Sequence, residues 1–311
     1  MKNRYLSEGS YGCVIKPGIK CIKKIKKDTI SKYFIDKKEW LNELKNNKII
    51  NKFLKKEHIV KLIDYCSVIK KERILIENCK LLNKKTKNLY NIIYEYAGID
   101  LYNLISKKIK FKEIFLKFDT IFETVKLLSD NNYIHFDIRL PNIVLKNKRL
   151  KLIDYGLMKN KNIESKYLNK LKKIKLYYLP PEFNNDNLNY LYIRIIKLLQ
   201  KNNSIISYNK KKRKQITLII NFILNKLKNK NKIQKIDTNK IDIYMIGIVL
   251  LELLIMLNIK NNLDLSDNEY NLILKFIKKL IEPNNKKRYS VDKAYSSYKK
   301  LNKFLYKKNT P

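Results

Sequence analysis

Few of the residues that build metal or disulfide frameworks occur in this chain of 311 residues. It contains four cysteines, at positions 13, 21, 66 and 79, and two histidines. No two of the cysteines form a CxxC pair. This scatter is typical of reduced thiols in an intracellular chain and argues against a disulfide or zinc framework. The scarcity of histidine also argues against a His-rich metal site.

Long apolar segments are scarce as well. Residues 1–12 are polar and lack the apolar core of a signal peptide. The longest apolar run, residues 243–257, is short for a membrane span and is interrupted by Glu252. It predicts a buried core helix and no membrane span. We therefore expect an intracellular, cytoplasmic monomer.

Acidic residues are greatly outnumbered. There are 28 Asp and Glu against 69 Lys and Arg, which gives a net charge of +41. Such a charge favours acidic partners and weak nucleic-acid binding. The alternative is codon usage in an A/T-rich genome, which encodes Lys, Asn, Ile and Tyr. The basic run 210–214 has two interpretations: a nuclear or nucleic-acid signal, or, as we favour, a solvated loop.

The order of apolar patterns predicts an α+β architecture. Residues 1–96 combine β-prone runs (13–16, 19–25, 59–68, 73–79 and 92–96) with one helix at 36–54. Residues 97–311 predict helices at 111–131, 241–257, 269–281 and 291–306. An Asn/Lys-rich stretch at about 184–240 contains two further helical patterns, at 190–199 and 216–227. We expect a small β-rich N-terminal lobe, 1–96, and a larger, mainly helical lobe, 97–311.

Two loop motifs contain residues suited to catalysis. Asp137 and Asn142 lie five residues apart, where a carboxylate can accept a hydroxyl proton and an amide oxygen can ligate Mg²⁺. Arg139 can offset charge on a transferring phosphoryl group. Asp154, followed by Tyr-Gly after a short strand, suits a metal ligand. Each motif alone is also an ordinary polar turn, but their order and spacing are specific.

Together these motifs resemble the catalytic loop and the magnesium-binding triplet of eukaryotic-type protein kinases. The resemblance implies a bilobal protein kinase fold and ATP-dependent transfer of the γ-phosphoryl group to Ser/Thr hydroxyls of protein substrates. It implies Asp137 as the base, Arg139 as the stabilising cation, and Asn142 and Asp154 as ligands of Mg²⁺, with Mn²⁺ as an alternative metal.

The same resemblance extends to the nucleotide site. The segment from Leu6 to Val14 is similar to the kinase glycine-rich loop, with Ser7 in place of its first glycine. Cys21-Ile22-Lys23 resembles the strand with the ATP-contacting lysine, and Lys23 is favoured over Lys24. Glu43 is favoured over Glu39 as its partner. Residues 94–97 resemble the adenine-binding hinge. The implied ATP contacts are Leu6, Ser7, Glu8, Gly9, Ser10, Tyr11, Gly12, Cys13, Val14, Lys23, Glu95 and Ala97.

Several positions depart from the family pattern. Phe136 replaces the arginine that reads an activation-segment phosphate, so we expect activity that does not require this phosphorylation. Arg139 and Lys175 replace a lysine and a threonine typical of Ser/Thr kinases, which blurs the acceptor class. Glu182 is expected to form a buried pair with Arg288.

Two questions of role stay open at the level of sequence. Residues 184–240 form an insertion relative to the family. An alternative to an active kinase is a catalytically weak or inactive kinase-fold scaffold that uses this insertion and the basic surface. The composition resembles that of kinases of large DNA viruses, which would place the protein in the host cytoplasm or the virion.

Overall fold

The computed structural model describes residues 4–9, 12–18, 21, 28–68, 79, 88–173, 176–184, 186–200, 210–228 and 235–307. The chain forms two compact units. The first comprises residues 1–98 together with 151–157, and the second comprises 99–150 together with 158–311. The sequence placed this boundary after residue 96 and assigned all of 97–311 to the larger lobe, so residues 151–157 are the main difference.

A five-stranded antiparallel sheet forms the first unit, with strand order β1-β2-β3-β5-β4. Two of the predicted strands, 19–25 and 73–79, lie outside the described residues except for Cys21 and Cys79. β3 was not predicted. Its first four residues alternate between buried and half-buried, as expected for a strand with one face on a core. The strands are β1 Arg4–Gly9, β2 Gly12–Lys16, β3 Thr29–Phe34, β4 Leu62–Val68 and β5 Leu89–Glu95.

One helix, α1 (Lys37–Ile50), packs against this sheet. Asp36 caps it by accepting two backbone N–H groups of the first turn, at 2.6 and 3.3 Å. Trp40 and Leu44 anchor α1 in a core shared with Phe34, Ile92 and Tyr94. The predicted helix at 36–54 is confirmed apart from its last turn. This packing fixes the position of α1 relative to β3, and both elements contribute residues to the candidate active site.

All four cysteines are paired within the first unit. Cys13 on β2 forms a disulfide with Cys79, with Cα atoms 6.2 Å apart. Cys21 forms a disulfide with Cys66 on β4, with Cα atoms 5.7 Å apart. The expectation of four reduced thiols is therefore wrong in this structure. Sequence spacing could not reveal the pairs, since their partners are 66 and 45 residues apart and meet only through the folding of the sheet.

The second unit is mainly helical, which confirms the predicted α+β class. Its short strands pair antiparallel, β6 with β8 and β7 with β10, while β9 continues into the first unit's residues 151–157. These strands are β6 Ile99–Asp100, β7 Tyr133–Ile134, β8 Ile143–Lys146, β9 Arg149–Leu152 and β10 Lys159–Asn160. The helices are α2 Leu101–Leu104, α3 Phe111–Phe115, α4 Asp119–Asp130, α5 Ser165–Lys172, α6 Asn187–Gln200, α7 Lys210–Lys228, α8 Ile241–Ile259, α9 Asp267–Leu280 and α10 Val291–Lys307.

Helix α8 is the core of this unit. Its side chains are buried on all sides, including those of Asp242 and Glu252. Among the described residues, the helical stretch Thr238–Ile259 is the one that is long and apolar enough to cross a membrane, and 94% of its 18-residue apolar window is buried within the fold. This burial agrees with the prediction of a core helix. The carboxylate of Asp242 accepts hydrogen bonds from the backbone of the catalytic loop.

Two α-helices, α6 and α7, lie in the described part of residues 184–240. α6 and α7 confirm the helical patterns at 190–199 and 216–227 and extend both of them. The basic run 210–214 was expected to be a loop, but it forms the first turn of α7. The run contains no glycine or proline that would interrupt a helix, and Lys and Arg are good helix formers. The single helix predicted at 111–131 is divided into α3 and α4.

Candidate active site

Three charged side chains converge in the first unit. Lys32 Nζ lies 2.6 Å from Glu43 Oε2 and 2.9 Å from Asp154 Oδ1. Lys32 comes from the middle of β3, Glu43 from α1, and Asp154 from the turn that follows β9. One ammonium group therefore bridges two carboxylates, of which one is buried and the other partly exposed.

Glu43 is held from both sides. Its side chain is 3% exposed, and Tyr94 donates its hydroxyl to Glu43 Oε1 at 2.8 Å. Asn47, one turn further along α1, donates to the Tyr94 hydroxyl oxygen at 3.0 Å. A buried carboxylate needs such partners because an unpaired buried charge is costly. The arrangement leaves Glu43 little freedom to turn away from Lys32.

The electrostatics favour a charged Lys32. Burial opposes its charge, but Asp154 and Glu43 outweigh burial and hold the pKa of Lys32 above its usual value. Burial raises the pKa of Glu43, and the Lys32 ammonium acts in the opposite direction. Burial and the neighbouring Glu43 raise the pKa of Tyr94 well above its usual range, so its hydroxyl remains a donor.

Helix α1 also fixes the segment around Asp154. Asn42 donates to the Gly156 carbonyl and Asn46 donates to the Tyr155 carbonyl, each at 2.6 Å. Asp154 itself has φ 64°, a left-handed conformation that non-glycine residues adopt rarely. Strained backbone of this kind persists only where surrounding contacts hold it. Here two asparagine side chains and Lys32 do so.

The lysine that contacts Glu43 differs from the one expected. Lys23 and its rival Lys24 lie outside the described residues. The structure pairs Glu43 with Lys32, so the expected pairing with Lys23 is replaced. Residues 29–32 alternate between small and larger side chains, and the strand ends two residues before the Asp36 helix cap. Lys32 lies on the strand that comes just before α1 in the chain, and this position is the signal that could have identified it.

The predicted glycine-rich loop is described in part. β1 and β2 form a hairpin in which Gly9 lies opposite Gly12, while Ser10 and Tyr11 lie outside the described residues. A Cβ atom at Gly12 would overlap the Tyr33 carbonyl on β3. Glycine at this position is therefore required by the close approach of two strands as well as by any phosphate.

The predicted hinge lies at the end of β5. The Glu95 N–H donates to the Lys61 carbonyl at 2.9 Å, and the Tyr96 N–H donates to the Asp28 carbonyl at 3.0 Å. Ala97 is buried. Glu95 and Ala97 were expected to contact adenine. The backbone N–H of Glu95 is already used in a hydrogen bond to the Lys61 carbonyl.

The catalytic loop is anchored on α8 in the second unit. Asp242 accepts hydrogen bonds from the backbone N–H groups of His135, at 2.8 Å, and Phe136, at 3.1 Å. Burial raises the pKa of Asp242, and His135 and these N–H groups act against that rise. Phe136 has φ 66°, so the chain turns sharply just before Asp137. The core helix thereby fixes the orientation of the loop.

Asp137, Arg139 and Asn142 lie together in this loop. Asn142 Nδ2 donates to Asp137 Oδ2 at 2.6 Å and to the Asp137 carbonyl at 2.9 Å. Arg139 Nε lies 3.2 Å from Asp137 Oδ1. The Asp137 side chain is buried while that of Arg139 is partly exposed. A carboxylate held in this way by an amide and a guanidinium has a fixed direction, as a general base requires.

The family's activation-segment arginine is replaced by an aromatic contact. Phe136 is 3% exposed. Its ring lies 6.3 Å from the rings of both Tyr167 and Phe183, in edge-to-face geometry. Such pairs are favourable beyond their buried area. An apolar side chain thus joins the catalytic loop to α5 and to the segment that follows it.

The predicted pair of Glu182 and Arg288 is confirmed. Two parallel hydrogen bonds of 2.7 and 2.9 Å join the guanidinium to the carboxylate, and both side chains are buried. Arg288 also donates to the Glu282 carbonyl at 2.8 Å and lies over the Tyr244 ring, 4.8 Å from its centre. This pair ties the end of the 176–183 segment to the loop before α10.

The predicted metal ligands have suitable donors. Within the described part of the chain no group of three or more His, Cys, Asp or Glu residues is placed to hold a metal. Mg²⁺ is commonly bound by one or two protein oxygens together with phosphates and waters. Both donor bonds of the Asn142 amide go to Asp137, which leaves Oδ1 as its ligand atom. Asp154 is 34% exposed, so its carboxylate is accessible.

Comparison with known proteins gives the family. The chain is 28% identical over 131 residues to cyclin-dependent kinase 12 of Caenorhabditis elegans, covering 40% of this chain and 18% of that protein. It is 36% identical over 74 residues to serine/threonine-protein kinase mph1 of Schizosaccharomyces pombe, covering 22% and 11%. It is 34% identical over 125 residues to dual specificity protein kinase zakA of Dictyostelium discoideum, covering 35% and 16%.

These matches span less than a fifth of each relative. The profile of the protein kinase domain covers far more of this chain, since it matches residues 2–191. That range includes the Lys32 network, the catalytic loop and Glu182. Because the match exceeds half of the sequence and agrees with the fold, the chain belongs to the protein kinase domain family.

Proposed function

We propose that this protein transfers the γ-phosphoryl group of ATP to serine and threonine hydroxyls of protein substrates. The observation that carries the proposal is the network of Lys32, Glu43 and Asp154. In this network a buried carboxylate holds an ammonium group beside a second, accessible carboxylate. A phosphotransferase needs both a cation for phosphates and a ligand for a divalent metal.

In the first unit the residues bind and orient the nucleotide. Lys32 takes the role that the resemblance gave to Lys23: it positions the phosphates. Glu43 holds Lys32, and Tyr94 holds Glu43. Mg²⁺, with Mn²⁺ as a substitute, would neutralise charge on the phosphates, and the accessible carboxylate of Asp154 is the proposed ligand in this unit. Because two carboxylates hold the Lys32 ammonium, little reorganisation is needed when ATP binds.

In the second unit the residues act on the acceptor. Asp137 orients the hydroxyl of the protein substrate and accepts its proton. Arg139, 3.2 Å from Asp137 and partly exposed, is available to offset charge on the transferring group. Asn142 keeps the Asp137 carboxylate in one direction. The positive φ of Phe136 and the anchoring by Asp242 support this geometry.

We also propose that activity does not depend on phosphorylation of the activation segment. The supporting observation is the buried Phe136 ring between Tyr167 and Phe183. An apolar ring cannot bind a phosphate, and it already supplies contacts to the segment. Apolar burial thus takes the place of a charge pair that would require a modification.

The acceptor class and substrate charge follow from weaker observations. One relative is named a serine/threonine kinase and another a dual specificity kinase. We propose Ser/Thr acceptors, and acidic segments around them, because the chain has a net charge of +41. Attraction of this kind accelerates association and weakens with salt.

Transfer from γ-labelled ATP tests the proposal. Wild-type protein is compared with Asp137→Asn on acidic and basic protein substrates, in Mg²⁺ and in Mn²⁺. General bases contribute about 10²–10⁴-fold, so Asp137→Asn should lose at least about 100-fold in turnover while binding ATP normally. The matched control is Asp292→Asn, which removes a carboxylate that is 77% exposed.

Each alternative gives a different result. Wild-type protein that binds ATP but transfers no phosphate under either metal would support the scaffold, and Asp137→Asn with full activity would contradict the role of Asp137. Phosphoamino-acid analysis of the labelled product then identifies the acceptor class. Phosphotyrosine alone would contradict the Ser/Thr proposal.

A further inference from the structure

One face of α6 contacts the segment 176–183. Asn187, Leu191 and Arg194 follow one another at spacings of four and three, which places them on the same side of this helix. Asn187 and Leu191 are buried and Arg194 is half-buried. Both the helix and the segment belong to the second unit. None of the roles described above uses this face, which lies in the stretch 184–240 whose task the sequence left open.

The first turn of α6 holds the backbone of the segment. Asn187 Nδ2 donates to the carbonyls of Leu179 and Pro180, each at 3.2 Å. The Leu179 N–H in turn donates to the Leu176 carbonyl at 3.1 Å, which closes a turn. One buried amide therefore fixes two consecutive peptide groups just before Glu182.

Two turns further along the helix, Arg194 holds a side chain of the same segment. Its guanidinium carbon lies 5.5 Å from the centre of the Tyr177 ring, within the distance at which a cation attracts an aromatic face. Its Nε donates to Glu252 Oε1 on α8 at 2.8 Å. Arg194 thereby links Tyr177 to the core helix of the second unit.

Glu252 keeps Arg194 in place. The carboxylate is 2% exposed, and a buried charge of this kind needs a partner. Burial raises the pKa of Glu252, and the hydrogen bond and charge of Arg194 act against that rise. Burial opposes the charge of Arg194, but Glu252 outweighs burial and raises the pKa of the guanidinium. Arg194 is thus a fixed cation and not a free surface side chain.

The other end of the segment meets the catalytic loop. The Phe183 ring lies 6.3 Å from that of Phe136, which directly precedes Asp137. Glu182 is fixed by its pair with Arg288. The segment therefore runs from α6 to the residue beside the proposed base, and a protein substrate that brings its hydroxyl to Asp137 comes next to it.

We propose that α6 holds segment 176–183 in the conformation that receives the protein substrate, with Arg194 and Asn187 as positioning residues. This inference rests on the proposed function of Asp137. Both residues act through the segment, Arg194 through the Tyr177 ring and Asn187 through the backbone. The network proposed to bind the nucleotide lies in the first unit, so they leave ATP binding unaffected. These contacts are built into the chain and need no phosphate to order the segment.

Steady-state kinetics of Arg194→Met test the positioning role. The substitution removes the cation from the Tyr177 ring, so the KM for a protein substrate should rise about 3- to 30-fold while the KM for ATP stays unchanged. Arg194→Lys keeps a charge beside Glu252 and should give a smaller rise. Arg149→Met, at an exposed position on β9, is the matched control and should change neither value. An unchanged KM for the protein substrate, or an equal rise in both KM values, would overturn the proposal.

A second substitution separates positioning from stability. Arg194→Met alone leaves Glu252 without its partner and should lower the unfolding temperature. Arg194→Met combined with Glu252→Gln removes the unpaired charge, so the unfolding temperature should recover while the KM for the protein substrate stays raised. The double variant also serves if Arg194→Met alone fails to fold. A KM that returns to the wild-type value together with stability would mean that Arg194 acts on stability alone, and the proposal would fail.

The contact is also tested from the side of Tyr177. Tyr177→Leu should raise the KM for the protein substrate by a similar factor, and combining it with Arg194→Met should add little, because both substitutions remove the same contact. Tyr306→Leu, at a position that is 65% exposed on α10, is the control. Fully additive effects would show that Arg194 does not act through Tyr177 and would contradict the proposal.

Amide hydrogen exchange tests the arrangement without relying on activity. Exchange within 176–183 should accelerate in Asn187→Ala and in the double variant of Arg194→Met with Glu252→Gln, while exchange in α10 stays as in wild type. Unchanged exchange of the segment in both would overturn the inference. If no protein transfers phosphate, wild type included, the proposed function fails, and hydrogen exchange still decides whether α6 holds the segment.

Discussion

Lys32 and Glu43 form an ion pair of 2.6 Å between the middle of β3 and the buried face of α1. This pair depends on the packing of α1 through Trp40 and Leu44. It also depends on Tyr94, whose hydroxyl bonds the second Glu43 oxygen. The position of the Lys32 ammonium is therefore set by the apolar core of the first unit, and substitutions in its surroundings should have measurable effects.

Removing the Tyr94 hydroxyl should destabilise the first unit. Tyr94→Phe leaves Glu43 Oε1 without its donor in a buried site, which costs about 1–3 kcal/mol or more for a charged group. The KM for ATP should rise as Glu43 gains freedom. Thermal unfolding and ATP titration measure the two effects. Tyr306→Phe is the control, and equal stability of the two variants would contradict the role of Tyr94.

The buried pair of Arg288 and Glu182 should matter far more than a surface pair. Arg288→Met leaves a buried carboxylate without its bidentate partner, and such losses cost about 3–5 kcal/mol. Lys126→Met breaks an exposed pair with Asp292, for which about 0–1 kcal/mol is expected. Denaturant unfolding compares the two. A loss below 1 kcal/mol for Arg288→Met would show that the buried pair is dispensable.

The contribution of Lys32 to stability should not vary between pH 7 and pH 10. Its pKa in the folded protein is raised above the unfolded value of about 10.4. The stabilisation is therefore fully present below that value and is lost only as pH rises through the folded pKa. The difference in unfolding free energy between wild type and Lys32→Met, measured at several pH values, checks this. A difference that shrinks already between pH 8 and pH 9 would mean a lowered pKa.

Reduction should weaken the first unit. The two disulfides close loops of 66 and 45 residues, and removing a native disulfide typically costs about 2–5 kcal/mol. Denatured protein should show no free thiols until a reductant is added, and reduced protein should unfold at lower temperature. Alkylation followed by mass spectrometry counts the thiols. Four alkylated cysteines without reductant would contradict the pairing.

The sequence predicted the parts of the fold that local patterns determine. The helical periodicity of residues 36–54, the apolar run of α8 and the loop motifs around Asp137 and Asp154 are short-range signals. Glu182 and Arg288 were found through a family resemblance and are confirmed. The pair of Glu182 and Arg288 joins residues that are 106 positions apart, so the resemblance, and not the local pattern, predicted it.

What the sequence could not show depends on long-range packing. Lys23 and Lys32 both lie in lysine-rich, β-prone segments, and only the register of β3 against β5 and α1 brings Lys32 to Glu43. The two disulfides likewise join residues that are distant in sequence. Local propensity is similar for each alternative in these cases, so the tertiary core decides.

The most direct measurement of the central claim compares phosphate transfer by Lys32→Met and Lys23→Met at saturating Mg²⁺ and ATP. Both substitutions remove one ammonium group and leave a similar stem. The account predicts that Lys32→Met loses at least about 100-fold in kcat/KM, as expected for a group that stabilises transferred charge, while Lys23→Met stays within about threefold of wild type. Full activity of Lys32→Met with loss of activity in Lys23→Met would contradict it.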